Sequence, residues 1–321
     1  MSGAAAEIVF DHVTKRYPGR AEPAVDDLTL TIPAGEICVL VGPSGGGKTT
    51  AMKMVNRLID MTSGDIRIGG RSIRTFEPTE LRRQIGYVIQ QTGLFPHMTV
   101  ADNVATVPRL LGWPKERIRE RADELLDLVD LPARDYRDRY ATQLSGGERQ
   151  RVGLARALAA DPPVMLMDEP FGALDPITRA RLQREFLRIH AAVLKTVIFV
   201  THDIDEAIMM GDRIALLRPG GRLAQYDTPD RILAAPADEF VASFVGADRG
   251  LKRLALTRLD ELELGPLDGV VAPEVPGRTT LRDALSLMLT EGTRAVVVLD
   301  DDGRPRGTAT IDTLSERLAA S

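Results

Sequence analysis

The stretch GPSGGGKT, residues 42–49, constrains the fold of this chain more than any other feature of the sequence. It follows the apolar run EICVLV and precedes KTTAMKMVNRLI, whose apolar residues recur at helical spacing. A buried strand, a glycine-rich turn and a helix in this order predict an α/β fold with a parallel sheet. They match a phosphate-binding loop, in which glycines let successive backbone N–H groups turn towards a phosphate at a helix start.

The residues expected to bind the phosphates of a nucleotide lie in this loop and at the start of the helix. Lys48 is predicted to reach the β- and γ-phosphates, and the Thr49 hydroxyl is predicted to bind Mg²⁺. The predicted nucleotide-binding residues here are Gly42, Pro43, Ser44, Gly45, Gly46, Gly47, Lys48, Thr49 and Thr50.

A second element supplies carboxylates. The run VMLMDEP reads as an apolar strand that ends in Asp168 and Glu169. Beside a phosphate-binding loop, Asp168 is expected to hold Mg²⁺ through water and Glu169 to orient or deprotonate the attacking water. The two elements together predict Mg²⁺-dependent phosphoryl transfer to water.

The stretch LSGGERQRV, residues 144–152, raises a different question, because it is a second glycine-opened helix start and it lacks the lysine. Taken alone, Ser145, Gly146 and Gly147 are as typical of an ordinary loop and helix cap as of a phosphate contact.

The motifs GPSGGGKT, LSGGERQRV, VMLMDEP, GALD and VTHD, in this order and spacing, resemble the ATPase subunit of an ABC transporter over about residues 7–247. The resemblance implies that Ser145, Gly146 and Gly147 face the ATP of a second subunit in a head-to-tail homodimer. That subunit already holds the phosphates, so a hydroxyl, backbone N–H groups and a helix dipole suffice and no lysine is needed.

The same resemblance assigns four further residues. Gln90, in GYVIQQTGLFPH, matches a glutamine that contacts Mg²⁺ and the attacking water, and His202 in VTHD matches a histidine that contacts the γ-phosphate. Asp175 in GALD matches the loop that couples the two sites, and Tyr17 in VTKRYPG matches an aromatic residue that stacks on adenine. Leu94, Phe95 and Met98 lie in a loop that either meets a permease or packs internally; the resemblance favours the permease.

Composition narrows the partners. The net charge of −5 and the 4% aromatic content argue against a nucleic-acid partner. The single Cys38 lies in an apolar run and reads as a buried small hydrophobe. No uninterrupted apolar stretch of the sequence approaches the roughly 18 residues that a membrane span needs. The resemblance to an ABC transporter ATPase implies that the chain lies at the cytoplasmic face of a cell membrane, where two integral-membrane permease subunits bind it.

We expect a boundary near residue 250, where the pattern weakens and Pro and Gly return. The predicted division is an ATPase domain over 1–250, with a helical subdomain over about 92–150, and a linker with a small α+β domain over 251–321. Residues from about 260 to 319 resemble a single CBS module. In CBS modules an acidic residue commonly follows the threonine of the last strand by three positions. In this chain that threonine is Thr310, and the residue three positions later is Thr313. Pairing with the same module of the second subunit is the expected role, and passive packing is the alternative.

An ABC ATPase followed by CBS sequence resembles importers of glycine betaine, choline, carnitine and proline, which also use an extracytoplasmic substrate-binding protein. Three other functions stay open: an importer ATPase for an amino acid, sugar or metal, a soluble ABC ATPase that acts on DNA or ribosomes, and a nucleotide-sensing regulator. The short interval between Thr49 and Ser145 opposes the second, since it leaves no room for a long coiled coil. Intact Lys48, Asp168 and Glu169 oppose the third.

Overall fold

A computed structural model describes residues 3–89, 93–172, 174–267 and 271–319. The chain divides into two compact units, Met1–Tyr226 and Asp227–Ser321. The strands are, in chain order, β1 (Ile8–Lys15), β2 (Val25–Ile32), β3 (Ile37–Val41), β4 (Ser63–Ile68), β5 (Arg71–Ser72), β6 (Ile85–Val88), β7 (Val164–Asp168), β8 (Thr196–Val200), β9 (Arg213–Arg218), β10 (Arg222–Asp227), β11 (Glu274–Pro276), β12 (Ala295–Leu299) and β13 (Pro305–Thr310).

The helices are, in chain order, α1 (Lys48–Val55), α2 (Pro78–Arg83), α3 (Val100–Val104), α4 (Thr106–Leu110), α5 (Lys115–Leu128), α6 (Ala133–Tyr136), α7 (Gly146–Leu158), α8 (Pro176–Val193), α9 (Ile204–Met210), α10 (Pro229–Ala234), α11 (Glu239–Val245), α12 (Arg249–Leu254), α13 (Leu281–Glu291) and α14 (Ile311–Ala319). Short 3₁₀ turns lie at Ile73–Thr75, Ala141–Gln143 and Leu259–Glu261. No helix among the described residues is both long and apolar enough to cross a membrane.

The central sheet of the first unit has the strand order β10-β9-β3-β8-β7-β6. Strand β3 pairs in parallel with β8 and β9, and β7 pairs in parallel with β6 and β8. Strands β3 and β8 are buried at every position, which explains why their sequences are continuous apolar runs with no polar alternation. The parallel arrangement brings the carboxyl ends of β3, β7 and β8 to one edge of the sheet, where ligands bind in open α/β folds.

A second, antiparallel sheet has the order β2-β1-β4-β5. Its inward-facing side chains, among them Ile8, Phe10, Leu28 and Ile66, are fully buried and belong to the same core as the central strands. Cys38 of β3 also lies in that core, and burial raises the pKa of its thiol above the ordinary range. The prediction that Cys38 is a buried small hydrophobe is thus confirmed.

Between β6 and β7 the chain is helical, from α3 to α7. Helix α7 packs against α3 and α5 and against strand β6. Helix α7, which Ser145 begins, therefore packs both on the helices of this region and on an edge strand of the central sheet.

The second unit has its own core around a sheet of order β11-β12-β13. Strand β11 is parallel to β12, and β12 is antiparallel to β13, with Val296 and Val298 fully buried. The helix, strand, turn, strand and helix expected from the sequence appear as α13, β12, β13 and α14. The short β11 was not expected, because its three residues lie in a Pro- and Gly-rich stretch.

Candidate functional site

The glycine-rich loop joins β3 to α1 in a conformation that only glycine allows. Gly42 and Gly47 have positive φ values of 149° and 77°. A Cβ at Gly42 would lie 2.1 Å from the Leu217 carbonyl oxygen, and one at Gly47 would lie 2.2 Å from that of Ala24. These contacts explain why the sequence needs glycine at both positions. The loop wraps the N-terminus of α1, so all nine predicted residues from Gly42 to Thr50 lie on one turn and the first helical residues.

Lys48 is held inside this loop. Its ammonium group donates hydrogen bonds to the carbonyl oxygens of Gly42 (2.7 Å) and Pro43 (2.9 Å), and the side chain is largely buried. Burial lowers the pKa of Lys48, while the nearby carboxylates of Glu169 and Asp168 oppose that shift. The loop therefore keeps a positive charge where the phosphates of a nucleotide would lie.

Asp168 ends β7 directly beside the start of α1. The Thr49 hydroxyl donates to Asp168 Oδ1 at 3.0 Å, and Lys53 Nζ lies 3.8 Å from Asp168 Oδ2. Burial raises the pKa of Asp168, and the contacts with Thr49 and Lys53 oppose the shift. A carboxylate and a hydroxyl side by side are the hard oxygen ligands that Mg²⁺ takes in nucleotide sites, so these residues fit the ion.

Lys53 was not predicted as part of the site. It lies four residues after Thr49 and so on the same face of α1, and that helical spacing is the sequence signal that could have placed it there.

Glu169 and His202 meet at the ends of two adjacent parallel strands. His202 Nδ1 lies 3.3 Å from Glu169 Oε1, and the Glu169 N–H donates to the Val200 carbonyl oxygen at 3.0 Å. Glu169 has a φ of 43°, a left-handed conformation that is unusual for this residue type. Such a conformation persists where the surrounding structure imposes it, and here it directs the carboxylate towards the imidazole. The structure thus brings the two predicted catalytic side chains together.

Ser145 begins α7 with a reciprocal cap. Its Oγ accepts the Glu148 N–H at 3.3 Å, and the Glu148 carboxylate accepts the Ser145 N–H at 2.7 Å. The Tyr136 hydroxyl donates to the same carboxylate at 2.7 Å. The ordinary-cap interpretation of this stretch is therefore correct. It leaves the proton of the Ser145 hydroxyl available, because the hydroxyl acts as an acceptor in the cap.

The Asp175 loop runs beside this helix start. Asp175 caps α8, its Oδ1 accepting the N–H groups of Ile177 and Thr178 at 3.1 and 3.0 Å, and these bonds lower its pKa. A Cβ on Gly146 would lie 3.8 Å from Leu174 Cδ2, and one on Gly147 would lie 3.4 Å from Thr178 Cγ2. The helix starts of α7 and α8 therefore form one surface within a single copy of the chain.

Tyr17 lines a cavity of about 770 Å³ together with Gly45, Gly47 and Thr50. The predicted adenine-stacking residue thus lies next to the predicted phosphate loop, although they are distant in sequence. Gln90, the last of the predicted site residues, lies outside the described residues.

Of the three apolar residues predicted to meet a permease, Phe95 is exposed, while Leu94 and Met98 are half-buried. The Asn103 side chain accepts the Phe95 N–H at 2.7 Å and donates to the Phe95 carbonyl oxygen at 3.1 Å. The loop is thus fixed to α3 and still presents an aromatic ring.

The family model described as ABC transporter matches residues 25–172, and the CBS domain model matches residues 271–320. The osmoprotectant import ATP-binding protein OsmV of Salmonella typhimurium is 50% identical over 303 residues, covering 94% of this chain and 78% of the relative. The choline transport ATP-binding protein OpuBA of Bacillus subtilis is 46% identical over 311 residues, covering 96% and 80%.

One solved structure is the dimeric post-hydrolysis state of the ATP-binding cassette MJ0796 bound to ADP and Pi. It has a TM-score of 0.60 and 34% sequence identity to this chain, and it covers 69% of this chain and 98% of the matched chain.

Proposed function

Because the chain belongs to the ATP-binding proteins of the ABC transporter family, we propose that it is the Mg²⁺-dependent ATPase subunit of an importer for quaternary-amine osmoprotectants. One observation carries the enzymatic part of the proposal. The Thr49–Asp168 pair and the Glu169–His202 pair lie together at one edge of the parallel sheet, beside the phosphate-binding loop.

The chain's own residues divide the work. The backbone N–H groups of the loop and Lys48 bind the phosphates of ATP, and Tyr17 stacks on the adenine. Thr49 and Asp168, with Gln90, hold Mg²⁺, and the ion neutralises charge on the phosphate oxygens when it is bound. Glu169 orients the attacking water and takes its proton, and His202 donates to the γ-phosphate beside it.

We place Ser145, Gly146, Gly147 and Asp175 at the nucleotide of a second copy of the chain. Support comes from the surface that the starts of α7 and α8 form together and from the solved ABC cassette, which is a dimer bound to ADP and Pi. The homodimer would bind two integral-membrane permease subunits at the cytoplasmic face of the membrane. A substrate-binding protein on the opposite side would complete the importer.

The proposed domains are the ATPase over 1–250, with the helical subdomain over about 92–150, and the linker and CBS-like module over 251–321. In the module, Thr313 Oγ1 lies 2.9 Å from Thr310 Oγ1, so a hydroxyl stands at the position where a CBS module that binds a nucleotide commonly has an acidic residue. We therefore assign the module to pairing with that of the second copy.

The ATPase proposal is tested by two substitutions measured for binding and for turnover. Lys48→Ala should weaken ATP binding itself, because it removes the charge held in the loop. Glu169→Gln should leave binding intact, lower hydrolysis by about a hundredfold or more, and trap a dimer on ATP. Hydrolysis by Glu169→Gln at the wild-type rate would show that another group activates the water.

The cargo needs a separate experiment, since no residue of an ATPase subunit contacts the transported solute. Uptake of labelled glycine betaine, choline and proline at high osmolarity would be compared in cells with and without this chain. Uptake of at least one should depend on the chain. If none does, the importer serves an amino acid, sugar or metal instead, and the ATPase proposal is unaffected.

A further inference from the structure

Hydrogen bonds fix the loop that carries His202 on either side of the histidine. The Thr201 hydroxyl, which is almost fully buried, accepts the Asp203 N–H at 3.1 Å and lies close enough to the Glu206 carboxylate to favour its ionised form. Asp203 Oδ1 in turn accepts the N–H groups of Asp205 and Glu206 at 2.9 and 3.2 Å, which starts α9. Thr201 and Asp203, the two neighbours of His202 in the chain, are therefore held in place, and Glu206 interacts with both of them.

The same Glu206 carboxylate reaches a second helix. Gln183 Nε2 donates to Glu206 Oε1 at 2.8 Å, and Gln183 is 5% exposed. Gln183 lies on α8, about two turns after Asp175. Arg179, one turn before Gln183, donates to the Leu174 carbonyl oxygen at 3.3 Å, and its charge also favours the ionised form of Glu206. Helix α8 thus connects the Asp175 loop to the His202 loop.

A carboxylate at this position is costly for packing alone. Burial raises the pKa of Glu206, and the neighbouring side chains of Thr201 and Gln183 oppose the shift. A leucine would occupy similar volume without any desolvation cost. The carboxylate instead accepts a hydrogen bond from the buried Gln183 of α8 and faces the buried Thr201 hydroxyl that follows β8, which indicates that it fixes the relative position of these two elements.

We propose that Glu206 is a positioning residue for His202: by joining Gln183 of α8 to the turn formed by Thr201 and Asp203, it holds the imidazole opposite Glu169. The proposal rests on the proposed ATPase function, in which His202 donates to the γ-phosphate. Glu206 acts only through the loop, because its described hydrogen bonds go to Gln183 and Asp203 and not to Glu169 or His202.

The first test compares two substitutions of Glu206 by steady-state hydrolysis. Glu206→Leu removes the acceptor for Gln183 and the polar group beside Thr201, and it should lower kcat between about tenfold and a hundredfold, as a small displacement of a catalytic group does, with KM for ATP unchanged. Glu206→Gln keeps a polar partner for the Gln183 amide and for Thr201, so kcat should recover to within about threefold of wild type. Glu120→Leu, on the exposed face of α5, is the matched control and should leave both constants unchanged.

The second test asks whether the loss passes through His202. In the His202→Ala background, adding Glu206→Leu should change single-turnover hydrolysis by less than about twofold, since the group that Glu206 positions is already gone. A further loss as large as that seen in the wild-type background would overturn the proposal, and so would a rise in KM with kcat unchanged. Gln183→Leu, which removes the donor on α8, replaces Glu206→Leu if the latter does not fold.

The two proposals fail differently. If the wild-type protein hydrolyses ATP but the losses at Glu206 and His202 are additive, only the positioning proposal is wrong. If the wild-type protein and the Glu120→Leu control both lack hydrolysis, the proposed function is wrong and the positioning proposal is wrong with it.

Discussion

Single side chains at the edge of the central sheet are held in states that cost folding free energy. Lys48 is buried and Asp168 is partly buried; burial lowers the pKa of Lys48 and raises that of Asp168, and both shifts favour the neutral form of the group. Glu169 has a left-handed backbone conformation. Each is a group whose charge or direction the proposed hydrolysis uses. The protein therefore gives up stability at the residues that bind and cleave the nucleotide.

Asp168 offers a test of this cost. Its pKa is raised, so the folded protein binds more protons than the unfolded chain across the carboxyl titration range, and stability falls as pH rises through that range. Asp168→Asn removes the ionisation and keeps an oxygen for Thr49. Without nucleotide or Mg²⁺, the variant should be more stable than wild type at pH 8 in urea unfolding, and the difference should narrow towards pH 4.

Asp175 provides a control, because its effect on the pH dependence of stability has the opposite sign. Its pKa is lowered by the N–H groups that it caps, so its contribution to stability is present at neutral pH and is lost as pH falls. Asp175→Asn should be less stable than wild type at pH 8 and similar at low pH. If Asp168→Asn, like Asp175→Asn, is less stable than wild type at pH 8, the assignment of a burial cost to Asp168 is wrong.

At the scale of elements, the start of α7 combines two properties that a sequence reading sets against each other. The Ser145–Glu148 exchange is an ordinary capping box, and the same serine is proposed to meet the nucleotide of a second copy. The two roles use different parts of the hydroxyl group, its lone pairs and its proton, and so they are separable by substitution.

Two substitutions separate them. Ser145→Gly keeps a residue acceptable at the cap and should cost only a few tenths of a kcal/mol, yet it removes the hydroxyl and should lower hydrolysis. Glu148→Ala loses its bonds to Ser145 and Tyr136 and should cost about 1–3 kcal/mol of unfolding free energy, while retaining hydrolysis. Thermal unfolding and ATPase rates would be measured on both. An equal loss of hydrolysis in the two variants would contradict a contact between the Ser145 hydroxyl and the nucleotide.

The elements also show what a single sequence reveals. Strands β3, β7 and β8 are predictable because a strand buried on both faces must be continuously apolar, and the phosphate loop because its glycines are required by close backbone contacts. Strand β11 is not, since its three residues carry no period. The contact of Glu206 with Gln183 and Thr201 could not be predicted either. It joins α9 to α8, which are separated in the chain by β8, and no local sequence pattern indicates that pairing.

For the whole molecule, the predicted fold class is confirmed: an ABC-type α/β ATPase with helices between β6 and β7, followed by a small α+β CBS domain. The resemblance to ATP-binding proteins of osmoprotectant import is confirmed as well. The domain boundary at residue 250 and the assignment of individual site residues stay predictions. The contact-based units divide earlier, after Tyr226.

A dimer that shares its sites should show complementation. Lys48→Ala and Ser145→Arg each damage both sites of their own homodimer. In a mixed dimer the two substitutions fall in the same site and leave the other intact, since each site takes its loop from one copy and its serine from the other. An equal mixture of the two proteins should therefore recover up to about a quarter of the wild-type ATPase rate. A mixture no more active than either variant alone would place both residues in a site within one copy.

The burial of Cys38 has a practical consequence. It is the single cysteine of the chain, it has no exposed surface, and its thiol stays protonated. The natural protein is therefore already a suitable background for thiol labelling. A cysteine placed at Ile177, whose side chain is 85% exposed beside Asp175, would carry one spin label per copy. Pulsed electron–electron double resonance would then measure the distance between the two labels and show whether the copies approach each other as ATP binds, without prior removal of native thiols.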